Sequence, residues 1–207
     1  MSTTDRWATF DCYGTLIDWN GGLRAALGSE DLLDRYHELE PEVQAEDFRR
    51  SYRDVMTEVA RRLGVDDEEA LARSLPTWEP FPEVPPALER ARARGWKLAI
   101  LSNTDRDFID ASMERIGVPF ELAIVASEIG SYKPRHAHWQ RFFERVDVSR
   151  DRYVHVAQSH FHDIVPAREL GLRSVWINRY AERHAPGATR ELPDLARLPE
   201  TLDELAA

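Results

Sequence analysis

The stretch Trp7-Ala8-Thr9-Phe10-Asp11-Cys12-Tyr13-Gly14-Thr15 places a short run of aromatic and β-branched residues directly before an aspartate. A run of this composition predicts a buried β-strand over Trp7–Phe10. In a doubly wound parallel sheet, ligands bind at the carboxyl ends of the strands. Asp11 is the first residue after the strand, so it is the first candidate for a functional side chain.

The rest of the chain repeats this pattern of short apolar runs separated by helical segments. The runs that predict strands are Lys97–Leu101, Leu122–Ala126, Tyr153–Ala157 and Arg173–Ile177. The segments that predict helices are Pro86–Arg94, Asp105–Ile116, Arg135–Val146 and Asp163–Leu170. Strands that alternate with helices favour an α/β fold with a doubly wound parallel sheet.

The long stretch between the first and second predicted strands has a different character. Its apolar residues recur at helical spacing, which predicts helices over Asp31–Leu39, Asp47–Leu63 and Asp66–Leu75. We interpret residues 19–80 as a small all-helical cap, entered through a glycine-containing turn at Asn20–Gly22. Residues 1–18 and 81–207 then form the core domain.

Composition limits the classes of partner. The 207 residues carry a formal net charge of −10, which disfavours nucleic acid and anionic membranes because both are negatively charged. No apolar run approaches the length of a membrane span, and the one cysteine is consistent with a reducing compartment. We therefore expect a cytoplasmic protein whose partner is a small molecule.

Polar residues follow the other predicted strands as well. Ser102 and Asn103 follow the second strand, and Lys133 lies in Ser131-Tyr132-Lys133-Pro134 after the third. The fourth strand is followed by Gln158-Ser159-His160 and then by Asp163. Because these strand ends meet at one edge of the sheet, the sequence predicts that a hydroxyl–amide pair, a lysine and two carboxylates converge there.

These motifs, in this order, resemble the haloacid dehalogenase superfamily of hydrolases, and the resemblance spans nearly the whole chain. It implies a Rossmann-like core in which Asp11 is a covalent nucleophile whose ester is hydrolysed by water. Lys133 is then expected to keep Asp11 ionised, and Thr15 to hydrogen-bond the same carboxylate. Ser102 and Asn103 are expected to donate to an oxyanion of the substrate.

Two positions separate the subfamilies. Phosphatases of this superfamily carry a second aspartate where Tyr13 stands, and their principal metal-binding acid falls at Ser159. The L-2-haloacid dehalogenases carry tyrosine at the first position and need no metal. The resemblance therefore implies dehalogenation of a small (S)-2-haloacid or a similar compound without a cofactor, in which Asp163 and Lys133 organise hydrolysis of the ester on Asp11.

Two alternatives stay open. The first is a Mg²⁺-dependent phosphatase of a small phosphate ester, in which Asp11, Tyr13 and Asp163 would bind the metal. A tyrosine is a weak replacement for an aspartate in either acid catalysis or Mg²⁺ binding. The second alternative is a catalytically idle member of the superfamily that serves as a binding or regulatory protein.

The predicted substrate pocket departs from the dehalogenase pattern. Where the dehalogenases have a cap arginine this chain has Tyr36-His37-Glu38, with Arg35 close by, and their serine and asparagine of the fourth motif are Gln158 and His160. The resemblance also makes a homodimer plausible. The residues we expect to contact substrate are Tyr13, His37, Asn103, Gln158, Ser159 and His160.

Overall fold

A computed structural model describes residues 5–183 and 187–206. Within these ranges the predicted α/β fold is confirmed: six parallel strands form one sheet in the order β3-β2-β1-β4-β5-β6. The strands are β1 (Arg6–Phe10), β2 (Trp96–Ser102), β3 (Leu122–Val125), β4 (Tyr153–Ala157), β5 (Arg173–Ile177) and β6 (Arg190–Leu192).

The strand order places the predicted motifs at one point of the sheet. The first strand, β1, is central and pairs with β2 on one side and with β4 on the other. The order of the strands along the chain reverses at β1, and such a reversal opens a crevice at the carboxyl ends of the strands. Asp11 lies at that crevice, where its backbone N–H donates to the Val156 carbonyl oxygen at 3.0 Å.

The described helices flank the sheet or fill the stretch between β1 and β2. In that stretch lie α1 (Trp19–Leu27), α2 (Glu30–Glu46), α3 (Tyr52–Leu63), α4 (Ala70–Ser74) and α5 (Val84–Ala93). After β2 come α6 (Arg106–Ile116), α7 (Ala126–Ile129), α8 (Ala137–Arg145), α9 (Val165–Glu169) and α10 (Leu198–Leu205). Only helical elements and turns separate Trp19 from Trp78. The boundaries that we assigned to the cap remain a prediction.

The prediction of a turn at Asn20–Gly22 is wrong, because these residues belong to α1. The Asp18 side chain caps this helix by accepting from the Gly21 N–H at 2.9 Å. Gly22 lies against the Trp78 ring, and a Cβ at this position would stand 2.2 Å from the indole. The glycine therefore serves close packing within a helix rather than a change of chain direction.

Helix α2 is longer than predicted and continues through Pro41. A proline cannot donate the hydrogen bond that an α-helix would give to the carbonyl four residues earlier, here that of His37. Burial of Leu33, Tyr36 and Val43 stabilises the helix on both sides of the proline. One face of α2 is thereby fixed against the rest of the cap.

The core fills both faces of the sheet. Trp139 and Phe142 of α8 are fully buried and belong to the cluster that includes Trp7 of β1. The larger cluster joins the opposite face of the sheet to apolar residues of α2 and α3. In the described parts of the chain, no helix combines the length and the apolar character that a membrane span requires.

Candidate active site

Asp11 is held at the carboxyl end of β1 by contacts to both of its oxygens. Thr15 Oγ1 donates to Asp11 Oδ2 at 2.9 Å, and Lys133 Nζ donates to Asp11 Oδ1 at 2.8 Å. The Thr15 hydroxyl in turn accepts from the Gln158 backbone N–H at 2.9 Å, which joins the loops after β1 and β4. The carboxylate therefore has a fixed orientation.

Lys133 links the two carboxylates of the site. Its side chain is 1% exposed, and its ammonium donates to Asp11, to Asp163 Oδ1 at 2.7 Å and to the Leu101 carbonyl at 2.9 Å. His155 of β4 contacts the same oxygen of Asp163 through Nε2 at 2.9 Å. The three hydrogen bonds use all three donors of the ammonium.

These contacts shift the pKa values of the buried groups. Burial raises the pKa of Asp11, and the negative charge of Asp163 adds to this effect, while Lys133 opposes it. Burial would also raise the pKa of Asp163, but Lys133 and His155 lower it to about 2. Burial would lower the pKa of Lys133, yet the two carboxylates raise it above its ordinary value. Lys133 is therefore held as a cation and Asp163 as a carboxylate, and the same ammonium favours the ionised form of Asp11.

Ser102 and Asn103 reach the site in different ways. Ser102 lines the cavity, and its carbonyl accepts from His138 Nε2 at 3.0 Å. The Asn103 amide accepts from the Lys133 N–H at 2.6 Å and donates to the Lys133 carbonyl at 3.0 Å. Sequence reasoning assigned this amide to substrate, whereas the structure shows that it also holds the backbone of Lys133 in place.

Tyr13 is not placed to act as a general acid in the site. Its ring lines the cavity, and its hydroxyl lies 3.0 Å from Ser112 Oγ. Burial raises the pKa of the phenol well above its ordinary value, so the group stays protonated. A phenol this reluctant to ionise is a poor proton donor at neutral pH.

The fourth motif divides between the cavity and its surroundings. Gln158 and Ser159 line the cavity, although the Gln158 amide also donates to Glu182 at 3.0 Å. His160, which we predicted to contact substrate, lies outside the lining and packs edge-on against Trp176, with ring centroids 5.4 Å apart. The turn that begins at Ser159 directs His162 into the cavity instead.

The cap forms one wall of the cavity. The His37 ring stacks on the Trp19 ring with centroids 5.0 Å apart, and both rings line the cavity. His37 Nε2 lies 3.0 Å from Asn20 Oδ1. The N-terminus of α3 is tied to the core because the Asp105 carboxylate accepts from the Tyr52 N–H at 3.0 Å. This contact positions the Tyr52 ring in the cavity wall.

Residues of the core and the cap together line a cavity of about 220 Å³. Of the predicted residues, Thr15 and His160 alone do not line it. Its described lining consists of Asp11, Tyr13, Trp19, His37, Glu40, Pro41, Gln44, Tyr52, Ser102, Asn103, Lys133, Gln158, Ser159, His162 and Asp163.

Sequence reasoning missed the cap residues Glu40 and Gln44. Both are buried on the face of α2 that also buries Tyr36 and Val43, and Gln44 donates to the Glu40 carboxylate. A carboxylate on the apolar stripe of an amphipathic helix is unusual, because burial of an unpaired charge is costly. That position in the helical pattern, next to Pro41, was a signal that could have identified Glu40.

The alternative magnesium ligands do not form a metal site. Both oxygens of Asp11 already accept hydrogen bonds, the Tyr13 phenol is protonated, and Lys133 stands between the two carboxylates. Mg²⁺ needs several hard oxygens in near-octahedral array. In residues 5–183 and 187–206 no three His, Cys, Asp or Glu side chains are grouped so as to hold a metal ion. These donors do not support a magnesium-dependent step.

The fold and the site together define a class of hydrolase. The profile of the haloacid dehalogenase-like hydrolase family matches residues 6–171. The chain therefore belongs to this family, as the order of its motifs predicted.

Individual dehalogenases are similar to this chain in sequence. The chain is 31% identical to haloacetate dehalogenase H-2 of Moraxella sp. (strain B) over 64% of its own length and 62% of the relative's, so it spans less than two thirds of that protein. It is 30% identical to (S)-2-haloacid dehalogenase 2 of Pseudomonas sp. (strain CBS-3), over 92% and 95% of the two lengths.

A solved structure supports the same fold. The L-2-haloacid dehalogenase of Xanthobacter autotrophicus, with chloropropionic acid covalently bound, superposes with a TM-score of 0.83 at 19% identity. The match covers 97% of this chain and 99% of the other.

Proposed function

We propose that this protein is a hydrolase that displaces halide from a small (S)-2-haloacid or a chemically similar 2-halo compound through an ester on Asp11. The observation that carries the proposal is the geometry of Asp11, which Thr15 and Lys133 hold in the wall of a cavity between the core and the cap. The names of the relatives, which are haloacid and haloacetate dehalogenases, support the same chemistry.

In the first step, an Asp11 oxygen attacks C2 of the substrate in line with the carbon–halogen bond. A carbon–oxygen bond forms, the carbon–halogen bond breaks, and the halide leaves with the electron pair. The halide needs no proton, so the step proceeds beside a phenol at Tyr13 that donates none. A buried carboxylate with few water contacts is also a stronger nucleophile than one in bulk water.

In the second step, water adds to the Asp11 carboxyl carbon of the ester. The bond from that carbon to the oxygen that joins it to C2 breaks, which releases the hydroxy product and restores the carboxylate. One water hydrogen goes to the product, and the other leaves as a proton. Lys133 stays bonded to Asp163 throughout, and we propose that this pair orients the water and stabilises the oxyanion on Asp11.

The origin of each oxygen atom in these two steps provides the test. In a single turnover in ¹⁸O-water, the hydroxy product should carry an unlabelled Asp11 oxygen, while Asp11 gains one ¹⁸O. We expect mass spectrometry to find the label in the peptide that contains Asp11 and not in the peptide that contains Asp163. Halide release with all the label in the product would contradict the ester mechanism.

Chelation tests the magnesium alternative. We expect EDTA to leave the rate of halide release unchanged, because Lys133 rather than a metal is paired with the two carboxylates. The measurement compares initial rates with EDTA, without it, and with Mg²⁺ added back. A rate that falls on chelation and returns with Mg²⁺ would contradict the metal-independent mechanism.

The size of the cavity supports a small-molecule partner. A volume of about 220 Å³ suits a compound of a few carbon atoms together with some water. The homodimer and the cytoplasmic location remain predictions of the resemblance and of the composition.

A further inference from the structure

The second step of the proposed reaction needs a group that accepts a proton from the attacking water. Asp11 is an ester at that point, and the Tyr13 phenol stays protonated. Asp163 is fully buried, and its Oδ1 already accepts from Lys133 and contacts His155. The acceptor is therefore to be sought among the other side chains that line the cavity.

Two histidines are among the described residues that line the cavity. His37 belongs to the cap, where its Nε2 lies 3.0 Å from Asn20 Oδ1. His162 belongs to the core and directly precedes Asp163 in the chain. The charges of Asp163 and Lys133 both act on the His162 ring, so this ring lies close to the ion pair of the site.

Ser159 determines which nitrogen of His162 is available. The Ser159 hydroxyl accepts from the His162 backbone N–H at 3.1 Å and lies 3.1 Å from Nδ1 of the same residue. The Phe161 ring packs edge-on against the imidazole, with centroids 5.0 Å apart. Because Nδ1 is turned to the hydroxyl, which has lone pairs for two donors, Nδ1 can carry the hydrogen and leave Nε2 as an acceptor.

The His162 imidazole is uncharged at neutral pH. Burial lowers its pKa to about 4, while the carboxylate of Asp163 opposes this effect and the ammonium of Lys133 adds to it. A neutral imidazole can accept a hydrogen bond and then a proton, whereas an imidazolium ion can accept neither. Nε2 is therefore free to bind a water molecule in the cavity through one of its hydrogens.

We propose that His162 is a catalytic residue of the second step, in which its Nε2 accepts a proton from the water that attacks the ester on Asp11. This inference rests on the proposed function. As the water oxygen bonds to the Asp11 carboxyl carbon, one O–H bond of the water breaks and the proton passes to Nε2. The bond from that carbon to the oxygen on C2 then breaks, and Nε2 returns the proton to this oxygen. The second hydrogen of the water leaves as a proton when Asp11 becomes a carboxylate again.

The test uses His162→Gln, whose amide keeps a polar side chain but does not take up a proton. In rapid-quench reactions with (S)-2-chloropropionate, the first halide released reports ester formation, and the later steady rate reports ester hydrolysis when that step is slow. We expect the variant to release a burst of about one halide per active site, because the ester accumulates. Intact mass spectrometry should detect this ester.

The two rate constants should respond differently in His162→Gln. The rate constant of ester hydrolysis should fall by about a hundredfold, at the lower end of what a general base contributes, because a group with a low pKa is a weak base. The rate constant of ester formation should not change, since the halide leaves without a proton. The side chain is partly exposed, and circular dichroism checks that the variant is folded.

His136→Gln is the matched control. His136 Nε2 also lies 3.0 Å from a carboxylate oxygen, Oε2 of Glu169, but the residue does not line the cavity. Both rate constants should equal those of the wild type. Ser159→Ala leaves the imidazole of His162 in place and removes the hydroxyl that orients it, so it should slow ester hydrolysis by up to about tenfold, as for one neutral hydrogen bond. Wild-type hydrolysis in Ser159→Ala would overturn the orientation of the ring by Ser159.

Glu40→Gln tests the competing acceptor. Glu40 lines the same cavity, and burial raises its pKa to about 7. Its carboxylate, however, accepts from the Gln44 side-chain amide within the cap. We therefore expect Glu40→Gln to keep a much higher rate of ester hydrolysis than His162→Gln.

The outcomes distinguish the role of His162 from the proposed function. Wild-type ester hydrolysis in His162→Gln, an equal loss in both steps, or a larger loss of hydrolysis in Glu40→Gln overturns that role. Label on Asp11 from ¹⁸O-water in the wild type would then still support the ester mechanism. A wild type that releases no halide, or that gains no label on Asp11, contradicts the proposed function and the role of His162 together.

Discussion

Replacement of Asp11 by asparagine is expected to reduce halide release by roughly 10⁴-fold or more, the size of effect seen when a covalent nucleophile is removed. An amide oxygen is a poor nucleophile, and no other carboxylate in the site has the same freedom to attack. Asp163 is fully buried behind Lys133, and His155 contacts the same oxygen that Lys133 holds.

The same variant should remain folded. Asparagine has the shape of aspartate, and its carbonyl oxygen can still accept from Lys133 or Thr15, while Asp163 keeps the ammonium paired. Circular dichroism and thermal unfolding check the fold, and halide release under identical conditions checks the activity. Deamidation of the introduced asparagine would restore the aspartate, so mass spectrometry must show that the sample contains none. Activity within tenfold of wild type in such a sample would contradict the nucleophile assignment.

Thr15→Val calibrates this result. It removes the hydrogen bond to Asp11 Oδ2 and the acceptor of the Gln158 N–H, but it leaves the nucleophile in place. The expected loss in the rate of halide release is about ten- to a hundredfold, as for a single hydrogen bond to a charged group.

The Asp11→Asn variant also tests the alternative of a catalytically idle family member. Turnover by the wild type that is lost in this variant would exclude that alternative.

The sheet was largely predictable because its strands are short apolar runs bounded by polar residues. All five predicted strands are present, and Tyr153–Ala157 and Arg173–Ile177 have the predicted bounds. The sixth strand, Arg190–Leu192, has no such signal, since its residues are largely exposed and only one is apolar. It forms because β5 leaves an unpaired edge to which a short extended segment can bond.

The cap was less predictable because its helices depend on packing. In α1 the two glycines Gly21 and Gly22 suggest a turn, yet the Asp18 cap and the contact of Gly22 with Trp78 keep the segment helical. In α2 the apolar spacing continues to Val43, yet Pro41 suggests an end to the helix near Leu39. Burial against the rest of the cap overrides both local signals.

The same difference separates the two halves of the site. The meeting of Asp11 and Lys133 was predictable because both residues follow strands of one parallel sheet, whose carboxyl ends share an edge. Which residue of α2 enters the cavity depends on how that helix is rotated against the core, and single-sequence reasoning does not fix that rotation. Glu40 was therefore missed, and His160 was placed in the cavity where the structure has His162.

Replacement of Lys133 by methionine is expected to be the most destabilising change in the site. It leaves Asp11 and Asp163 buried without their cation, and removal of one partner from a buried ionic network costs about 3–5 kcal/mol of unfolding free energy. Lys97→Met is the matched control, because Lys97 pairs with Asp5 near the surface. Such a pair contributes at most about 1 kcal/mol.

The pH dependence of this loss identifies its cause. In the wild type, Lys133 and His155 lower the pKa of Asp163 to about 2, so this group stabilises the fold above about pH 4, the ordinary range of a carboxyl group, and the contribution is lost as the pH falls towards 2. In Lys133→Met, burial without a cation raises both carboxyl pKa values above their unfolded values. The variant should therefore lose stability as the pH rises and approach the wild type in acid. Urea unfolding at about pH 4 and about pH 7 measures the difference, and a loss of equal size at both would show that lost packing, rather than uncompensated charge, is the cause.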